Sequence, residues 1–129
     1  MTPTPMVLPV VYIAGPYRAA TPWRVQANIR AAQEAALTVW KLGAVALCPH
    51  GNTGQFEGEC PDDVWLRGDL ELLRRCDAVL MLEHWQLSEG AKEEHRVAAD
   101  LGLPIFYDTA SGVLRGWVAD WKRATAQQA

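Results

Sequence analysis

The sequence predicts an α/β fold: one domain built on a doubly wound parallel sheet of four to five strands, flavodoxin-like or Rossmann-like. Three observations carry this. Short β-branched and apolar runs alternate four times with longer stretches at helical spacing. None of the short runs alternates polar with apolar, the pattern of strands buried on both faces. Gly43 and Gly102 each close a helical stretch just before the next run begins. The expected strand order is 2-1-3-4. Ligands then bind beyond the C-terminal ends of the strands, in the crevice between the first and third.

In order, residues 1–6 carry Pro3 and Pro5 and are expected to form a loose arm. Val7–Ala14 (VLPVVYIA) is the first strand, although Pro9 fits a central strand poorly. Gly15, Pro16, Tyr17 and Arg18 make a tight loop. Thr21 is an N-cap with Pro22 at the first helical position. The helix runs to about Leu42 on a stripe of Val25, Ile29, Ala32, Ala36, Val39 and Trp40. Ala44–Cys48 is the second strand. Pro49–Cys60 is a loop rich in Gly, Asn and Thr, of a length often tied to function. Pro61-Asp62-Asp63 opens a helix carrying Val64, Trp65, Leu66, Leu70, Leu72 and Leu73, which ends near Cys76. Asp77 heads the third strand, Ala78–Leu82, in a structural position. Glu83–Ser88 is a polar loop, Gly90 opens a helix to about Leu101, and Leu103–Tyr107 is the fourth strand. A last helix spans Val113 to about Ala124, and residues 125–129 are expected to fray.

The 129 residues suffice for one domain with a real core. A net charge of -3 gives no electrostatic footprint for nucleic-acid polymers or acidic membranes. No apolar run approaches the roughly 20 residues of a membrane span. The first ten residues lack the charged and cleavable regions of a signal peptide. Three cysteines without a CxxC pair fit a reducing cytoplasm. Cys48, His50 and Cys60 match no zinc spacing, so no metal is expected.

The fourth helix carries one residue on the wrong side. At 100° per residue, Ala91, Val97, Ala98, Ala99 and Leu101 share an apolar arc, with Lys92, Glu93, Arg96 and Asp100 opposite. Glu94 falls within the apolar arc. Either a basic side chain pairs with it and its role is structural, or it is a working carboxylate. The facing loops add Tyr12 and Arg18 from one side, and Ser88 and the amides near Gly90 from the other. Arg, Ser and a helix N-terminus together suit a phosphate. Taken singly, the Arg reads as solvated and the Ser as a cap. Asp69 lies close to the packed stripe of its helix. Tyr17, Trp65 and Trp85 could stack on a planar ring or simply pack. His50 and His84 stand at strand ends without an assignable role, and His50 is counted among the pocket-lining candidates.

The segments YIAGPYR, GAVALCPH, GDLELLRRCDAVLML and SEGAKEEHRVA resemble the nucleoside 2-deoxyribosyltransferase superfamily, from about residue 10 to 106. The most specific part is S-x-G-x-x-x-E-x-x-x-A, formed by Ser88, Gly90, Glu94 and Ala98. The resemblance implies Glu94 as nucleophile at the anomeric carbon, Asp69 handling the base or its proton, and Tyr12 orienting Glu94. Ser88 and the Gly15-Pro16-Tyr17-Arg18 loop look more like the nucleoside 5′-monophosphate N-glycosidase branch, which carries Ser at that position and an Arg in a G-x-x-R loop. Lys92 and Glu93 depart from the small or aromatic residues usual there. The A-G-P loop also occurs in small phage and bacterial relatives of unproven activity. The implied substrate-binding set is Arg18, Ser88, Gly90, Gly15, Tyr17, His50 and Trp85. The implied chemistry is that of a retaining glycosidase acting on a small nucleotide, with no cofactor, in a homodimer or higher homo-oligomer. The competing readings are a non-catalytic nucleotide-binding module, and a protein whose Glu94 is structural and whose surface serves assembly.

Overall fold

The structure, a computed structural model, describes residues 7–110 and 112–128. The predicted arm at residues 1–6 lies outside the described residues, as does Ala129. Four strands, β1 (Val10–Ala14), β2 (Val45–Leu47), β3 (Ala78–Met81) and β4 (Ile105–Phe106), form one all-parallel sheet in the order β2-β1-β3-β4. Five helices join them: α1 (Pro22–Lys41), α2 (Pro49–Thr53), α3 (Asp62–Arg74), α4 (Glu89–Asp100) and α5 (Val113–Gln128). Among the described residues, no helix is long and apolar enough to cross a membrane.

Strand alternation divides the core into two layers. Val11, Ile13, Ala78 and Leu80 pack with Ala32, Ala36 and Val39 of α1 and with Leu114 and Val118 of α5. Tyr12, Ala14, Val79 and Met81 face the other way, onto Leu73 of α3 and Ala91, Val97 and Ala98 of α4. Both central strands are therefore buried on two faces, as their unbroken apolar runs predict. Each fully buried Val, Ile or Leu contributes roughly 1.5–3 kcal/mol, enough for the sheet to carry some costly polar burial.

The boundaries differ from expectation where side chains or caps decide them. β1 begins after Pro9, whose missing N–H cannot join the ladder. Its first residue is tied instead to Asp77, whose carboxylate accepts the Val10 N–H at 2.8 Å. The predicted 49–60 loop contains α2, started by Pro49 at a position where a missing N–H costs nothing. A short 3-10 turn, Trp85–Leu87, fills part of the predicted Glu83–Ser88 loop. α5 continues to Gln128, beyond the expected end near Ala124. Trp40 is half exposed on α1, and Ala99 on α4 and Leu101 just past its end are exposed too, so both packed stripes are narrower than the wheel predicts.

Candidate active site

Tyr12 and Glu94 make the centre of the site. Tyr12 sits on β1 opposite Val79 of β3, fully buried, and points into the α3–α4 layer. Its hydroxyl donates to Glu94 Oε2. Glu94 stands on the packed face of α4 between Ala91 and Ala98 and is only 8% exposed. Burial disfavours its anion and pushes the carboxyl up to about 8, against the Tyr12 hydrogen bond, which favours the anion; the nearby Asp69 adds a smaller upward push. Burial, then the Glu94 charge, drives the Tyr12 phenol far above its usual range, so Tyr12 is a permanent donor.

Asp69 lies on the α3 face that turns toward this pair, and burial pushes it up to about 6. Its charge acts on both Glu94 and Tyr12, which puts the three groups within one electrostatic neighbourhood. The three predicted catalytic residues are thus together, from β1, α3 and α4.

The α4 N-terminus is built as its sequence implies. Ser88 caps it, its Oγ accepting the Ala91 N–H at 3.1 Å. The Ser88 hydroxyl proton remains available to donate elsewhere. A Cβ added at Gly90 would meet only Ser88 Oγ, at 4.0 Å, so Gly90 leaves the first turn bare rather than relieving a clash. Gly15 is different: a Cβ there would sit 2.6 Å from Leu82 Cβ, so only glycine lets the β1–α1 loop pass this close to the end of β3.

That loop is held from behind. His50 Nε2–H donates to the Pro16 carbonyl at 2.8 Å, and Asn28 Nδ2 donates to the Tyr17 carbonyl at 3.1 Å. The Tyr17 hydroxyl donates to the Gly54 carbonyl at 2.9 Å, and its ring meets His50 edge-on at 5.6 Å. Burial lowers the His50 pKa, which keeps the ring neutral. His50 and Tyr17 therefore brace the loop against α2. A groove between α1 and α2 is lined by Gln26, Gln33, His50 and Gln55, and His50 is the one candidate residue on its wall.

Two further candidates have partners that the sequence did not indicate. Arg18 is 64% exposed and ion-paired with Asp62 in the first turn of α3. Trp85 stacks on His95, centroids 4.2 Å apart, and His95 Nε2 meets the Tyr107 hydroxyl at 2.8 Å. Asp62, His95 and Tyr107 escaped sequence reasoning because each is defined by a contact distant in sequence. Phe56 escaped for the same reason; its ring tilts against Trp65 with centroids 6.0 Å apart.

No curated protein matches the sequence. Residues 9–107 match the family model described as a domain of unknown function (DUF4406). The match covers all four strands and the first four helices, including Tyr12, Asp69 and Glu94. The chain therefore belongs to the DUF4406 family.

Proposed function

We propose that the protein cleaves, or transfers the sugar at, the N-glycosidic bond of a (deoxy)nucleoside 5′-monophosphate through a covalent ester on Glu94. One observation carries this reading: a buried glutamate on a helix, its Oε2 held by a buried tyrosine hydroxyl, beside a second carboxylate of raised pKa. The resemblance to the nucleoside 2-deoxyribosyltransferases assigns the same three positions on independent grounds.

Tyr12 occupies Oε2 and leaves Oε1 to attack the anomeric carbon. As the C1′–O bond to Glu94 forms, the C1′–N bond breaks and its electron pair stays with the base. The base takes a proton from Asp69 or from water. Water then hydrolyses the ester, releasing sugar phosphate and restoring Glu94, or a second base takes the sugar. With Glu94 at about 8 and Asp69 at about 6, the pair holds about one proton at neutral pH, more often on Glu94. The reactive arrangement has that proton on Asp69. Turnover then follows a bell between the two apparent values.

The phosphate would lie between the Ser88 hydroxyl with the α4 amides and Arg18. Arg18 leaves Asp62 to reach it, at little cost, because exposed ion pairs are worth about 0–1 kcal/mol. Charge-assisted bonds are worth about 1.5–3 kcal/mol each, so losing two lowers efficiency roughly 10²–10⁴-fold.

The test is a panel of ribo- and deoxyribonucleosides and their 5′-monophosphates, with released base followed by chromatography. The expected result is base release, strongest from a monophosphate. Arg18→Ala should erase most of the monophosphate preference and leave slow nucleoside turnover nearly unchanged. Equal efficiency on a nucleoside and its monophosphate moves the assignment to the nucleoside-acting branch. Tight binding without any base release assigns a nucleotide-binding module instead.

A further inference from the structure

Trp65 holds a polar atom that the fold leaves unpartnered. Its indole Nε1 is sealed from solvent and, among the described residues, is the one buried side-chain nitrogen or oxygen without a hydrogen bond. Such an unmade bond costs about 1–3 kcal/mol, and buried polar groups in native proteins are nearly always paired.

Its place in the fold indicates what the donor is for. α3 ends at Arg74, and β3 begins at Ala78, so the last turn of the helix lies at the N-terminal edge of the sheet. The chain then turns back, and the first turns of α3 stand at the C-terminal edge, where α4 begins. Leu73, Asp69 and Trp65 follow one another at intervals of four residues, one helical face read upward. Leu73 is fully buried where the α3–α4 layer packs on the sheet. Asp69 comes next, within reach of the charges on Glu94 and Tyr12. Trp65 is one turn further out, toward the C-terminal edge of the sheet, where parallel α/β sheets bind their ligands. Phe56, from the segment between α2 and α3, tilts against its ring and is itself 49% exposed. A side chain so exposed and anchored on a connecting segment can turn away without unpacking the core.

We propose that Trp65 reads the leaving group: its indole N–H is the donor to an oxygen or ring nitrogen on the nucleobase, uncovered when Phe56 swings aside. This rests on the reading that places a nucleotide beside Glu94. It adds a named residue for base recognition, and a reason for the unsatisfied donor. When the C1′–N bond breaks, negative charge gathers on the base. A donor that is already desolvated and meets that charge stabilises it with little reorganisation.

Trp65→Phe keeps an aromatic ring against Phe56 and deletes the N–H. The comparison is made in Glu94→Gln protein, so that bound nucleotide survives the measurement. Calorimetric titrations use AMP, GMP, CMP, UMP, their 2′-deoxy counterparts, and ribose 5-phosphate, which has the sugar and phosphate but no base. The expected result is about 10–100-fold weaker binding of the preferred nucleotide in Trp65→Phe, by one lost hydrogen bond to a desolvated donor. Ribose 5-phosphate binding should be unchanged. The melting temperature of the free protein should hold or rise, since an unpaired buried donor has been removed. Unchanged nucleotide affinity overturns the proposal. So does a lower melting temperature with both ligands weakened, which would make Trp65 a packing residue. If nucleotides bind in a Trp65-dependent way but the wild type releases no base, the glycosidase reading falls and this one stands. If no nucleotide binds, both fall.

Discussion

Glu93 and Glu94 are neighbours on α4 and share almost nothing else. Glu93 lies on the outer face, held by Arg96 Nε at 3.0 Å, while Arg96 also reaches Asp100 at 2.8 Å. The guanidinium keeps the Glu93 carboxyl below its usual range. Glu94, 100° further round the helix, is buried, bonded by a phenol rather than a cation, and pushed up to about 8. The same side chain thus serves as a surface ion-pair partner at one position and as a proton-holding acid at the next. Helix rotation alone makes the difference, because it decides whether water or the Tyr12 layer surrounds the carboxylate.

The strongest way to break this comparison is to neutralise each in turn. Glu94→Gln should lower base release by at least about 10³-fold, in the range seen when a nucleophile or its partner is removed, while Glu93→Gln stays near wild type. Initial rates on the preferred monophosphate read both. Equal losses would mean that the two positions do not differ in function.

Stability against pH sharpens the contrast without needing a substrate. The folded Glu94 keeps its proton up to about 8, whereas the unfolded chain releases it near the ordinary glutamate value of 4.5. The stabilising contribution is therefore complete below 4.5 and is lost as pH rises toward 8. Glu94→Gln carries no such titration and can still accept the Tyr12 hydrogen bond. Its stability relative to wild type should improve steadily from pH 5 to pH 8, by on the order of 3 kcal/mol. Urea unfolding at several pH values checks this. A difference that is flat with pH would show that Glu94 titrates normally.

The smallest expected effect is on the outer face. Arg96→Ala removes both exposed ion pairs to Glu93 and Asp100, and should change stability by less than about 1 kcal/mol and turnover hardly at all. A large loss of activity would mean that the charged face supports the site.

Much of this could be read in the sequence, for definite reasons. Period and punctuation predicted four βα units because buried parallel strands need unbroken apolar runs, and VVYIA and AVLM have them. The wheel isolated Glu94 because a carboxylate within an apolar arc is costly to bury unless something pairs with it or uses it. It misplaced Ala99 and Leu101, since the wheel knows the helix but not how wide a surface the sheet offers it. α2 was invisible: five residues with Gly51 and Asn52 carry no stripe, and the helix rests on Pro49 and on tertiary contact. The partners of Arg18, Trp65 and Trp85 were likewise out of reach. Asp62, Phe56 and His95 are ordinary residues until the chain folds them into place.

The Tyr12–Glu94 hydrogen bond joins positions 82 residues apart in the chain. In chain order Tyr12 comes first, and the carboxylate it must hold follows only after three strands and three helices. Until α4 docks, Glu94 stays in water and the Tyr12 hydroxyl lacks the carboxylate it holds in the folded chain. No fragment that stops short of α4, whether nascent or clipped, can contain the pair. The altered acid therefore exists only in a chain that extends through α4 and has packed that helix against β1.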